Sequence, residues 1–123
     1  MKKGIVAFLF SLLLLPLTGF AKDHFQCSGT EPFWGLTLGS SFTFTREGNN
    51  VQIKPVHASI SGNTRTYSTE TLANATPVKI VIKHQNCSNG MSDQTFDYHV
   101  TFNMNGQEFN GCCVRGKPEK VYK

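Results

Sequence analysis

Beyond its first two dozen residues the chain alternates between apolar and polar side chains, the period of a strand with one buried face. Trp34, Leu36 and Leu38 share a face of one run, and Phe42 and Phe44 share a face of the next. Val51 and Ile53 continue the pattern, residues 64–72 are Thr-rich around Tyr67, and Val78, Ile80 and Ile82 alternate with Lys79, Val81 and Lys83. No window carries the spacing of an amphipathic helix. Turn-forming clusters punctuate the runs at Gly39-Ser40-Ser41, Gly48-Asn49-Asn50, Ser61-Gly62-Asn63, Asn89-Gly90 and Asn105-Gly106. The pattern predicts an all-β fold, a small antiparallel meander barrel or sandwich of about seven to eight strands.

Asn105-Gly106 gives the sharpest local expectation. Between two β-like runs it suits a type I′ turn, whose two central residues both need positive φ. Counting outward pairs Met104 with Gln107, Phe102 with Phe109, Val100 with Gly111 and Tyr98 with Cys113. Those residues and Phe96 form an apolar face, while Asp97, His99, Thr101, Asn103, Glu108, Asn110 and Cys112 lie opposite. Adjacent Cys112 and Cys113 thus point to opposite sides, Cys113 toward the core and Cys112 outward beside His99.

The opening segment differs in kind. Lys2 and Lys3 precede an apolar run from Gly4 to Phe20 centred on Leu12 to Leu15, and the run ends in Gly19, Phe20 and Ala21. This is the order of a secretory leader cut after Ala21, and it is too short, with Lys22, Asp23 and His24 following at once, for a retained span. The expected mature chain is one domain, residues 22–123, without stable membrane insertion. The cut lowers Lys plus Arg from 12 to 10 and leaves Asp plus Glu at 8, so the net charge is about +2. Arg46, Lys54, Arg65, Lys79, Lys83, Arg115 and Lys117 are scattered along the chain, which gives nucleic-acid binding no support.

All four cysteines, Cys27, Cys87, Cys112 and Cys113, lie in the mature part, and an even count in a short exported chain indicates a disulfide framework. A Cys112–Cys113 bond would strain a ring across one peptide step. Two connectivities remain: Cys27–Cys112 with Cys87–Cys113, or Cys27–Cys113 with Cys87–Cys112. No metal site is expected, since His84, Cys87, Cys112 and Cys113 lack paired short spacings and His24, His57 and His99 have no regular ligand partners. No cofactor motif or catalytic signature is present, and the catalytic set is expected to be empty.

Two segments interrupt the alternation. In Gly29-Thr30-Glu31-Pro32-Phe33-Trp34, Pro32 holds Glu31 extended and Phe33-Trp34 places large rings on both faces. Cys87-Ser88-Asn89-Gly90-Met91-Ser92-Asp93 has the short polar side chains of a tight loop. With FDYHVTF at 96–102 and GCC at 111–113, the chain resembles an uncharacterised family of bacterial envelope proteins that carry EPFW, C-x-x-GMSD and a closing G-C pair in this order. Members of that family sometimes accompany lysozyme-inhibitor-like or META-type domains, and many look like lipoproteins, whereas no lipoprotein box precedes Cys27 here. The resemblance implies a Gram-negative periplasmic or secreted protein and brings no activity.

The candidate binding residues are therefore Glu31, Trp34, Gly90, Met91, Ser92 and Asp93, converging at one barrel end if the disulfides draw Cys27 and Cys87 to the same hairpin. The competing structural reading, preferred because no nucleophile or base accompanies them, makes Glu31 and Asp93 turn acceptors, Trp34 core and Met91 a plug. The expected function is a non-catalytic envelope binding module whose partner is an envelope protein or a cell-wall component. One alternative is a lysozyme-inhibitor-like β-barrel, although a mature charge of about +2 lacks the acidic complement to basic lysozymes. The other is an enzyme with a Glu31/Asp93 carboxylate pair, which requires the two carboxyls about 5–10 Å apart.

Overall fold

The computed structural model describes residues 24–30, 33–88 and 95–116. They form nine antiparallel strands: β1 Phe25–Thr30, β2 Phe33–Leu38, β3 Phe42–Arg46, β4 Asn49–Ile53, β5 Ser59–Ser61, β6 Thr64–Glu70, β7 Pro77–Cys87, β8 Phe96–Met104 and β9 Gln107–Arg115. The count exceeds the expected seven to eight because three-residue β5, with every residue exposed, carries no alternation of burial to announce it. No helix among the described residues is long and apolar enough to cross a membrane.

The strands lie in the order β4-β3-β2-β1-β9-β8-β7-β6-β5. Every neighbour is a hairpin neighbour in sequence except β1 and β9, which zip the two ends of the chain together from Phe25↔Arg115 to Ser28↔Cys112. The two outermost strands, β4 and β5, are also consecutive in the chain. Pro55 lies between them, where it contributes no N–H to a ladder. Before it, Ile53 forms a bridge with Thr71, flanked by Lys54 N–H to Glu70 O and Leu72 N–H to Gln52 O, both 2.9 Å. After it, β5 pairs with the start of β6. The segment thus leaves β3 and joins β6, curling the sheet back on itself into a barrel-like wall.

Alternation puts one apolar set inside that wall. Phe25, Leu36, Leu38, Phe42, Phe44, Ile53, Tyr67, Val78, Ile80, Ile82, Val100, Phe102 and Phe109 are all buried in one cluster. The β8–β9 register matches the expected one at each of the four pairs, and Asn105 and Gly106 have φ of 54° and 84°. The β3–β4 turn differs by one residue from expectation. Glu47 (φ 50°) and Gly48 (φ 83°) occupy it, and Asn49 and Asn50 begin β4. Phe42↔Ile53 and Phe44↔Val51 decide the matter, because a one-residue slip would turn these side chains to opposite faces.

Candidate functional site

Both disulfides end on β9. Cys27–Cys113 joins directly paired residues of β1 and β9 on the core face, and Cys87–Cys112 joins β7 to β9. In the sheet β8 separates those two strands, which would set them nearly 10 Å apart. The Cys87 and Cys112 Cα atoms are nonetheless 5.6 Å apart. A register shift interrupts the β7–β8 ladder between His84 and Cys87, after which Cys87 pairs with Phe96. Cys112 is consequently on the outward face, as expected, but is 3% exposed rather than open to solvent, because Cys87 covers it. The Cys87 Sγ also lies 3.3 Å from the Gly111 carbonyl oxygen. Two disulfides belong to an oxidising, extracytoplasmic compartment.

Of the six candidate binding residues, Trp34 is inside. It is 5% exposed, with its ring 5.8 Å from Phe109, 5.9 Å from Phe44 and 6.2 Å from Phe102. Gly29 and Gly111 form its floor. A Cβ on Gly29 would run into the Trp34 indole nitrogen, and one on Gly111 into the Ser28 carbonyl and the indole edge. The first unusual segment and the G-C-C run thus share a packing purpose: each supplies part of one tryptophan socket. Phe33, the other ring of its pair, is 63% exposed on the outside. Glu31, Gly90, Met91, Ser92 and Asp93 lie outside the described residues. Their neighbours are tethered close together, since Cys87 is bonded to Cys112 and Cys112 pairs with Ser28, two residues before Thr30.

Near Trp34, Arg46 continues the inward face of β3. It is paired with Trp34, its guanidinium carbon lies 5.2 Å from the Phe109 ring centroid, and its Nε is buried without a hydrogen-bond partner. At the other end of the barrel the inward positions change character. Following the alternation outward, Tyr67 leads to Arg65, Ile82 to His84, Val100 to Tyr98 and Cys113 to Arg115. These converge on Phe25. The guanidinium carbons of Arg65 and Arg115 lie 5.5 and 5.6 Å from its ring centroid. Tyr98 meets it edge-on at 5.1 Å, and His84 stacks on Tyr98 at 4.7 Å and 19°. The Cys27–Cys113 rung lies one step further in, under the Phe25–Arg115 rung.

This mouth is cationic, aromatic and reachable. Arg115 and His84 are exposed and Arg65 and Tyr98 half-buried, while Phe25, roofed by them, is 1% exposed. Of the described carboxylates, Glu70, Asp97 and Glu108 alternate with inward residues on their strands, and Glu47 is in the β3–β4 turn. Sequence reading missed the mouth by treating Arg65 and Arg115 as scattered charges and His84 only as a residue without metal-ligand spacing. The available signal was a charged or aromatic residue two positions beyond the last core residue of four different strands.

A second concavity, about 670 Å³, opens where β4 approaches the β6–β7 connection. Val51, Leu72 and Met104 give it apolar surface, with Asn50, Gln52, Asn74 and Asn105 around them. Its wall is stiffened locally: buried Thr71 donates to Asn74 Oδ1 at 2.7 Å and accepts from the Thr76 N–H at 3.0 Å. Among the described residues no three His, Cys, Asp or Glu side chains come together as metal ligands would. No family model, curated protein or solved structure matches this chain.

Proposed function

We propose that the chain is a non-catalytic binding module of the bacterial envelope, working in the periplasm or beyond it, that holds a cell-wall component at its surface. The observation that supports this most is the contrast between a barrel interior filled with stacked aromatic rings and a mouth where guanidinium, imidazole and phenol groups converge. Among the described residues the interior positions are occupied by packed side chains, unlike the ligand-carrying interiors of larger β-barrels. An exposed imidazole and a half-buried phenol beside guanidiniums suit a polar polymer such as a glycan, by ring contact and hydrogen bonding together. The two disulfides hold the mouth's strands together in an oxidising compartment, where such polymers are found.

The test is co-sedimentation of the purified, leader-free protein with isolated cell-wall sacculi, with the supernatant assayed for released fragments. Saturable retention without release is the expected result. Release of soluble fragments would return the carboxylate-pair enzyme reading. Absence of retention, together with capture of a lysozyme in a turbidity assay, would return the inhibitor reading.

A further inference from the structure

We infer that the concavity beside β4 is a docking site for an extended segment of a partner protein, which adds one short strand to the free edge of β4. The Glu47-Gly48 turn determines which backbone groups that edge offers. In a two-residue hairpin the pair flanking the turn, here Arg46↔Asn49, exchanges both hydrogen bonds, and successive pairs then alternate. Val51 and Ile53 therefore bond to β3, while Asn50 and Gln52 direct their N–H and C=O groups away from it. The Gln52 carbonyl is used, since it accepts from the Leu72 N–H at 2.9 Å. Past that rung the opposite chain turns away. The Ala75 N–H donates back to the Thr71 carbonyl and the Thr76 N–H to the Thr71 hydroxyl, both at 3.0 Å. Asn50 is left facing the concavity, and among the described residues its outward-directed N–H and C=O meet no backbone partner.

The shape and lining of the concavity identify its occupant. Val51 and Met104 both line it and are only partly buried against the core, so an apolar side chain entering beside them would extend that core. Leu72, 61% exposed, adds apolar surface at its lip. The rest of the lining is uncharged amide and hydroxyl, which gives a charged ligand no partner and matches the donors and acceptors of peptide groups. Edge strands are ordinarily blocked by a lysine, a proline or a bulge. From Asn49 to Gln52 there is none, and Lys54 and Pro55 come only beyond the Gln52 rung. Leu72, Ala73 and Asn74 bound the far side, so the space admits a lone strand rather than the folded edge of a second copy. In such an addition main-chain hydrogen bonds supply affinity, and every second side chain of the guest supplies specificity. A guest residue opposite Asn50 would point its side chain outward, and its neighbours would point inward beside Val51.

This site is separate from the mouth and does not depend on the cell-wall reading. The test uses the leader-free protein labelled with nitrogen-15 and a capped peptide of alternating threonine and valine, titrated to millimolar concentration. Saturable shifts of the Asn50 and Gln52 backbone amides are the expected result, with the amides around Phe25 unmoved. The same peptide N-methylated at its threonines, the residues that pair with Asn50 when valine faces inward, should bind about tenfold more weakly, the scale of a lost hydrogen bond. Asn50→Pro removes the edge N–H without touching the ladder to β3 and should weaken binding to the same degree. Leu72→Lys, at an exposed position, should weaken it severalfold in a protein with native circular dichroism. No saturable shift at Asn50, or equal binding of the N-methylated peptide, would overturn the proposal. So would β4 amide shifts that follow protein concentration without peptide, which would assign the edge to a second copy instead.

Discussion

At one end of the barrel Arg46 lies over Phe109 beside Trp34, Phe44 and Phe102; at the other, Arg65 and Arg115 lie over Phe25 beside Tyr98 and His84. Both ends continue the inward alternation of their strands into charged residues, and both set guanidinium on ring. The difference is what stands behind the ring. At the Trp34 end two glycines remove side chains from the floor, and a large indole drops into the space and packs against three phenylalanines. At the Phe25 end the floor is a disulfide rung, a half-buried Tyr98 meets the ring edge-on, and Arg115 and His84 stay exposed. The first arrangement stabilises the wall, and the second presents chemistry. Residue type alone does not distinguish the two ends; what packs behind each ring does.

That comparison can be broken most forcefully at the floor of each end. Replacing Cys27 and Cys113 by Ser opens a closure spanning 86 residues, whereas replacing Cys87 and Cys112 opens one of 25. The chain-entropy account assigns about 4.6 kcal/mol to the first and about 3.5 kcal/mol to the second. Guanidinium chloride unfolding should therefore show the larger loss for the mouth-floor pair; equal losses, or the reverse order, would mean that packing around each bond matters more than loop length. Next in size, Gly111→Ala should destabilise by about 3 kcal/mol, because the added methyl meets a backbone carbonyl and the edge of a packed indole, neither of which can easily move. Unfolding midpoints would show it, and a loss below about 1 kcal/mol, the range of ordinary surface changes, would remove the socket from the account.

Arginine substitutions sharpen the contrast between the ends at lower energy. Arg115→Ala is expected to change stability by no more than about 1 kcal/mol, the worth of an exposed cation–π contact. The same change should reduce retention on sacculi, whereas Arg46→Ala should leave retention alone. Smallest of all, Glu47→Asn should raise stability by about 0.5 kcal/mol, because asparagine tolerates the positive φ that Glu47 adopts. A thermal melt of the purified protein reads that sign.

Much of the wall was legible in the chain, and for a physical reason. Alternation reports burial residue by residue, so Trp34, Leu36, Leu38, Phe42, Phe44, Val78, Ile80 and Ile82 could be assigned to one face without knowing their partners. A two-residue turn fixes register rigidly, which is why the Asn105-Gly106 hairpin could be counted to the residue. Pairings at long range could not. Whether Cys27 meets Cys112 or Cys113 depends on β1 lying beside β9 with Phe25 opposite Arg115, and no local signal encodes that contact. The closure through Ile53 and Thr71 was equally hidden, since the bridge is a single rung after which the chain changes partner at Pro55. As for the candidate site, the described part of the first unusual segment, Gly29 and Trp34, is packed inside the wall, and the other candidates lie outside the described residues. The mouth went unrecognised because its residues come from five strands, each contributing one side chain that looks ordinary in its own segment.

The measurement that bears most directly on the account compares the two ends in one assay. Arg65→Ala/Arg115→Ala and Arg46→Ala proteins, both checked for intact disulfides and native circular dichroism, are measured for retention on isolated sacculi beside the unaltered protein. The account predicts that the mouth double variant loses retention by about tenfold or more, the scale of charge-assisted contacts, while Arg46→Ala stays within about twofold. Equal retention by all three proteins, or a loss confined to Arg46→Ala, would contradict it.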